Sequence, residues 1–491
     1  MAVVLALIWT GDASDQALMV VKTLIVTSLG VIFLVIWLFA FSRLSAGIRT
    51  RIAVTICLLA IAGFSTLKFD GITGNFVPIL SWRLSAPAST SDPLSLPPGE
   101  SGDFPQFLGP NRNATLPGPD LLSWETHPPG EVWRIKVHPG WSAFSVSGRT
   151  AITQEQREEL ECVVAYDLLT GTQLWIHSDE TYHTTIMGGQ GPRATPTITG
   201  DWVYALGATG ILNCLDIQTG QVIWARNLTD EHSTSAPRFG FSGSPLVHED
   251  KVILSAGGRQ NRSLVAHSVV DGRFIWGGGK MRAGYSSPSI HRIAGRDQIL
   301  ILNNGSVAAH HPENGEVFWE VPWPTGGGLQ CVAQPLPIAD SQVFVTTGYG
   351  IGCKLYEISE TNGTMQSTIV YETPRMKAKF TQVVLHDGYI YGLDDGVFVC
   401  LDPETGQRKW KRGRYGHGQI LLVGDKLIVQ TEDGDVVLVR PNPDGLEELG
   451  TIPALSSKTW NNPVLAGSLL LVRNDREAVC YEVALKSDDA L

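Results

Sequence analysis

Hydrophobic and polar positions follow two regimes along this 491-residue chain. Before residue 70 they form long, almost unbroken apolar stretches. Beyond residue 130 they form short runs rich in β-branched and aromatic residues, punctuated by Gly, Asn, Asp and Thr. One such passage reads Ala194–Ile198, Trp202–Leu206, Ile211–Leu215 and Val222–Trp224, broken at Gly207–Gly210 and at Thr219-Gly220. Runs this short, bounded by turn residues, predict four β-strands. Gly supplies the positive φ of a tight turn, and an Asp or Thr side chain can satisfy the turn's backbone.

The passage recurs. Its clearest copies are Ala165-Tyr166-Asp167…Thr170-Gly171…Trp175, Cys214-Leu215-Asp216…Thr219-Gly220…Trp224 and Cys400-Leu401-Asp402…Thr405-Gly406…Trp410. Ala266…Asp271-Gly272…Trp276 and Ala309…Asn314-Gly315…Trp319 keep the Gly and the Trp. A period of about 40–50 residues implies a radial or stacked repeat, because one small sheet cannot bury both faces alone. The Trp falls on the fourth strand, where its ring can fill the wedge between neighbouring sheets.

Units are expected at 141–178, 194–228, 241–279, 285–322, 331–373, 379–413 and 418–453, with a short last one at 459–485. Units five and seven lack the Trp. The last lacks a fourth strand, and Gly130–Val137, with Trp133, stands alone before the first unit. The expected fold class is all-β: an eight-bladed β-propeller of four-stranded antiparallel blades closed by an N-terminal strand, preceded by two N-terminal transmembrane helices. A ring of seven is the alternative. Joining the two chain ends in one sheet would remove an exposed edge.

The repeated phrase resembles the PQQ-type (pyrroloquinoline quinone) repeat of the quinoprotein alcohol dehydrogenase-like superfamily over about residues 103–485. Phe104–Arg112 is similar to the leading segment of bacterial envelope members. The resemblance implies two kinds of activity. Dehydrogenases of this superfamily hold PQQ with Ca²⁺, beside a ring formed by adjacent cysteines. Envelope propellers of the outer-membrane assembly factor BamB type present loops to partner proteins. No two of the seven cysteines are adjacent, and the Ca²⁺ ligands find no residue-by-residue match. The BamB type is held by a lipidated Cys, for which this chain has no convincing counterpart.

The apolar stretches predict membrane helices at about 19–42 and 48–67. Arg43, Arg49 and Arg51 lie between or beside them, which places that connection in the cytoplasm and both termini outside. A signal sequence is the alternative for the second stretch. The expected organisation is a membrane anchor over 1–70, a Pro/Ser-rich linker over 71–103, the propeller over 104–485 and a tail over 486–491. The anchor would lie in the inner (cytoplasmic) membrane, with a monomeric propeller on the periplasmic or extracellular side. Net charge is −11, and no basic stripe or nucleic-acid motif stands out. Cys214, Cys400 and Cys480 occupy one position in three blades and read as small core residues. Cys331 and Cys353 could pair in an oxidising compartment, and Cys57 reads as a membrane-helix residue.

Residues just before each first strand should converge on one mouth of the central channel. Those singled out as ligand-binding are Arg193, Arg238, Arg282, Lys379, His417, Trp141, Trp460 and Asn461. Basic forks and flat rings suit a planar anion such as PQQ. The competing expectation is that they cap the channel. Asp394-Asp395-Gly396 and Glu432–Asp435 lie where second and third strands meet and read as hairpin turns rather than Ca²⁺ ligands. No catalytic residue or metal cluster is assigned. The expected function is a membrane-anchored extracytoplasmic scaffold binding a protein of the cell envelope. Alternatives are a PQQ-dependent dehydrogenase with divergent ligands and a sensor of a small anionic ligand.

Overall fold

The computed structural model describes residues 16–82, 102–118, 120–258, 260–325 and 330–486. The chain divides into two compact units, Met1–Ser89 and Thr90–Leu491. Residues 83–101 of the expected linker and 487–491 of the expected tail lie outside the described residues.

In the first unit, the helix Gln16–Ile36 runs on as a π-helical turn, Trp37–Phe41. Together they form the only helix among the described residues that is long and apolar enough to cross a membrane. This corrects the expectation of two spans. The second stretch is helical, Ala46–Thr66, but its first turns carry Arg49 and Arg51. The uncharged remainder from Ile52 rises about 22 Å at the helical repeat, short of a hydrocarbon core of about 30 Å. Arg49 turns back on the first helix, donating to the carbonyls of Leu44 (2.8 Å) and Phe39 (2.9 Å). Residues Leu67–Ile72 and Pro78–Trp82 then pair as an antiparallel hairpin.

The second unit is an all-β propeller of eight blades. Seven blades are built in chain order, each an antiparallel sheet whose strands follow one another: 145–179, 197–227, 246–278, 289–322, 336–373, 384–414 and 419–452. Blade seven gains a fifth strand, Thr115–Leu116, parallel to Leu422 and Val423. In blade eight, strands Val464–Ala466, Leu469–Arg473 and Glu477–Glu482 are joined by Gly130–Lys136, with Cys480 opposite Trp133.

The repeated phrase has a physical explanation. The Asp closes the turn: Asp216 Oδ1 accepts from Gln218 N (3.1 Å), Thr219 N (2.8 Å) and Thr219 Oγ1 (2.7 Å), and Asp167 does the same work in blade one. The Gly lies beneath the Trp of the preceding blade. A Cβ at Gly220, whose φ is +70°, would sit 2.4 Å from the ring of Trp175; one at Gly272 would sit 2.5 Å from Trp224. The Trp then bonds across the seam. Nε1 of Trp133, Trp175, Trp224 and Trp410 donates to the carbonyls of Leu168 (2.8 Å), Ile217 (2.8 Å), Val269 (3.0 Å) and Asn442 (2.8 Å). Trp319 instead bonds Gln298 in its own blade, and Trp276 makes no such bond among the described residues. Where blade five lacks a Trp, Tyr371 takes its place over Gly406.

A second device, invisible in the phrase, circles the channel. At or just before the first strands of blades two to eight a polar side chain serves a neighbouring blade. Backbone N–H groups of Ala143, Thr195, Ser244, Ser287 and Gln334 donate in succession to the side chains of Thr195 (3.1 Å), Ser244 (2.9 Å), Ser287 (2.9 Å), Gln334 (2.7 Å) and Gln382 (2.9 Å). Gln419 Nε2 donates to the carbonyls of Phe380 and Trp460, both at 3.0 Å. Asn462 reaches Gln419 (3.1 Å), and Asn461 bonds the carbonyl of Ser142 (2.7 Å), which brings the chain of bonds back to blade one. These buried groups would otherwise lose their water partners, at about 1–3 kcal/mol each.

The leading segment lies against the far ends of the first strands. Phe104 pairs with Val146, and the Pro105 carbonyl accepts from Ile198 N at 2.8 Å. Buried Arg112 donates to the carbonyls of Ser244 and Pro245, both at 2.9 Å, and Ala114 accepts from Leu422 N. One segment therefore ties blades one, two, three and seven, and burial pulls the Arg112 guanidinium down to about 9.

Candidate functional site: the channel mouth

At the channel mouth, four aromatic rings from four blades meet. Trp141 of blade one and Trp460 of blade eight have centroids 4.9 Å apart, tilted by 45°. Phe380 of blade six lies 4.9 Å from Trp460 and 5.2 Å from the ring of His417 of blade seven. Over the Trp pair stands Lys458, its Nζ 4.0 Å from the centre of Trp460 and 5.0 Å from that of Trp141. Lys379 Nζ lies 4.8 Å over Tyr349. Cations placed on ring faces are held by the ring quadrupole.

Polar groups bind this cluster to its own chain. Trp460 Nε1 donates to Glu432 Oε1 (2.9 Å), and the His417 N–H donates to Glu432 Oε2 (3.1 Å). Trp141 Nε1 donates to the Gly188 carbonyl (2.6 Å). Arg193 donates to the same carbonyl (3.0 Å) and to those of Gly189 (3.3 Å) and Gly191 (2.9 Å). Desolvation lowers Arg193 to about 10, and lowers Lys458 as well. Burial, helped by Lys379 and Arg414, drives His417 well below the usual histidine range, so its ring is neutral at pH 7.

The eight sequence-predicted residues therefore divide. Trp141, Trp460, His417 and Arg193 join one connected cluster, and buried Lys379, next to Phe380 in the chain, packs on Tyr349. Asn461 belongs to the inter-blade ring, its Nδ2 held by the Gly140 and Ser142 carbonyls. Arg238 is exposed and covers Phe239 at 5.5 Å, beside Tyr285, and Phe239 packs against Gly188 on the same side as Arg193. Arg282 is exposed, and its backbone pairs with Asn304. Sequence reasoning missed Lys458, Phe380 and Glu432. Phe380 follows Lys379 directly and Lys458 precedes Trp460 by two, so the same strand-start rule extended by two residues would have found both.

A planar tricarboxylate such as PQQ does not fit these residues. Sandwiching a flat ligand needs about 7 Å between rings, two contact distances, whereas Trp141 and Trp460 stand 4.9 Å apart with Lys458 above them. The Arg193 fork is already filled by three carbonyls.

Two groups elsewhere have the makings of a metal site, Glu231–His232–His267 and His248–Glu249–Glu313. In the first, His267 Nδ1 must donate to the Gly272 carbonyl (2.8 Å), and His232 Nδ1 must accept from Arg262 (2.7 Å). His232 Nε2–H then donates to His267 Nε2 (2.9 Å). Each ring nitrogen is occupied, and a metal would have to displace that bond beside a guanidinium. Burial holds His232 at about 3. In the second group the Lys251 ammonium is the cation, 3.0 Å from Glu313.

The family profile described as outer membrane protein assembly factor BamB matches residues 114–240 and 159–412. Outer membrane protein assembly factor BamB of Yersinia pestis is 22% identical over 261 residues, 50% of this chain and 64% of that protein. Quinohemoprotein alcohol dehydrogenase ADH IIB of Pseudomonas putida is 29% identical over 119 residues, 23% of this chain and 17% of that one. The match thus spans less than two thirds of either relative. Among solved structures, BamB from Moraxella catarrhalis superposes with a TM-score of 0.53 at 16% identity, covering 72% of this chain and 99% of the other. The computationally designed Ika8 protein gives 0.50 at 12% identity, with coverage of 72% and 99%. At these identities the structural likeness speaks for the fold alone.

Proposed function

The chain belongs to the family of outer membrane protein assembly factor BamB, and from that premise we propose that it is a membrane-anchored envelope propeller that works by binding a protein partner. One observation carries the reading: the cations and rings of the mouth are bonded to the chain's own carbonyls, carboxylates and aromatic faces. A mouth closed on itself is a rigid hub rather than a cradle, which leaves rims and loops as binding surfaces. The N-terminal helix would hold the protein in the inner membrane, with the propeller on the periplasmic or extracellular side. The resemblance of that helix to the lipid anchor of BamB-type proteins is one of role only.

A second reading, a PQQ-dependent dehydrogenase or a sensor of a small anion, draws support from the aromatic and basic character of the same mouth and from the stretch similar to an alcohol dehydrogenase. Calorimetric titration of PQQ into the detergent-solubilised full chain, with and without Ca²⁺, separates the two. The scaffold reading expects no saturable heat in either case. One-to-one binding at micromolar strength that is lost in Arg193→Ala would instead establish the mouth as a ligand site.

A further inference from the structure

The negative overall charge hides a short basic run, which the fold places on a single outer strand. The outer strand of blade six, Arg408–Arg414, reads RKWKRGR: five cations in seven residues, in a chain of net charge −11. The propeller supplies its own controls, because seven other strands occupy the same place. Gly130–Lys136 carries two Lys or Arg and Val222–Asn227 one; the outer strands of blades one, three, four, five and seven carry none. Charge is one common way to protect an exposed sheet edge. It is not this protein's general way: Leu174, Val222, Ile223 and Phe274 are exposed on the outer strands of blades one to three. Blade six departs from a rule its sister blades keep.

Buried acids order the base of this strand, while four of its five cations stay exposed. Buried Asp394 accepts from Lys377 Nζ (2.7 Å) and Lys411 Nζ (2.5 Å) and lies 4.0 Å from Arg408. Lys409 packs on Tyr389, 5.8 Å from the ring centre. Arg408, Lys409, Arg412 and Arg414 remain exposed. Asp394, with Asp395 3.6 Å from Lys377, orders the base of the strand, and the exposed cations leave a positive excess at its surface. The strand is also the last of its sheet, so one backbone edge faces away from the blade.

We propose that the outer strand of blade six is a docking surface for an acidic, extended segment of a partner protein. This rests on the partner-binding reading above and names the face and the chemistry. An extended acidic segment uses both features of the strand, the row of cations and the open backbone edge. Lipid headgroups would use the charge alone.

The test uses the full chain in nanodiscs of zwitterionic lipid and, as probe, a fluorescein-labelled peptide of alternating Glu and Val. Saturable binding is expected, weakened about tenfold or more in Lys409→Glu/Arg412→Glu, and weakened in wild type on going from about 50 to about 300 mM salt. Backbone amides of 408–414 should gain hydrogen-exchange protection when peptide is added. Equal binding by the reversed variant, or no binding by wild type, would overturn the proposal. So would protection of 408–414 in anionic nanodiscs without peptide, which would assign the strand to lipid. Melting curves of the variant exclude misfolding as the cause of a loss. If the peptide fails while a partner crosslinks through another rim, this face is removed and the partner-binding reading stands.

Discussion

Blades three and six share an architecture and present opposite surfaces. Each places a Gly under the aromatic ring of its predecessor and a largely buried Trp against its successor. Between that Gly and that Trp, blade three reads Arg273-Phe274-Ile275 and blade six reads Gln407-Arg408-Lys409. The contrast separates two kinds of constraint along a single strand. Positions that meet a neighbouring blade are fixed by volume and by one hydrogen bond. Positions that meet solvent vary freely, and function can be written there without disturbing the ring.

The largest test of that separation is at the shared Trp. Trp410→Ala and Trp276→Ala should each cost about 3–5 kcal/mol through the cavity they leave. Trp410 also donates to the Asn442 carbonyl (2.8 Å), while Trp276 Nε1 has no partner among the described residues. Trp410→Ala should therefore cost about 1 kcal/mol more. Chemical denaturation of the two variants measures the difference, and equal costs would mean that the seam is held by ring volume alone.

Next in size is the carboxylate beneath the cationic array. Asp394→Asn removes the charge shared by Lys377 and Lys411, with an expected loss of about 3 kcal/mol at neutral pH. Blade one offers the opposite case. Glu161 is buried against the turn of blade two, accepting from Ala208 N (3.1 Å) and Thr209 Oγ1 (3.2 Å), with no ion pair within 4 Å among the described residues. Desolvation raises it to about 7. A carboxyl whose folded value lies above its unfolded one makes the native state bind more protons between the two. Stability then falls as pH rises from about 4.5 towards 7, and ionisation penalises the fold above that. Glu161→Gln should thus match wild type in stability near pH 4.5 and exceed it at pH 8 by about 3 kcal/mol. A gap independent of pH would place the ionisation elsewhere.

How much of this could be read in advance follows from where each constraint acts. Asp216, Thr219, Gly220 and Trp224 work within one turn and its nearest neighbour, so their spacing repeats and the blades could be counted from it. The inter-blade ring was hidden because Thr195, Ser244, Ser287, Gln334, Gln382 and Asn462 differ in type and share only a position. Five of the eight ring positions have Pro next in sequence, as in Thr195-Pro196 and Asn462-Pro463, and that was the available signal. The mouth was found in outline, since strand starts must converge, but which cations were already engaged depends on side-chain directions that no spacing encodes. The second membrane span failed on length once Arg49 and Arg51 were placed inside its helix. Tyr371 was missed as the Trp substitute because blade five has strands of ten residues, which shift the ring away from the expected turn.

The smallest effects on stability should come from the surface that distinguishes the two blades. Phe274 lies 5.5 Å from His232 and under Arg262 at 4.5 Å, so Phe274→Lys should cost about 1 kcal/mol even though the residue is partly exposed. Lys409 and Arg412 face solvent, and Lys409→Glu/Arg412→Glu should change stability by no more than about 0.5 kcal/mol. The pair of variants thus inverts the usual expectation that charge reversal does more harm than adding a lysine. If the reversal in blade six were the more damaging of the two, those side chains would be part of the packing that holds the ring. A neutral reversal that abolishes acidic-peptide binding would show that the strand's chemistry is maintained for a partner.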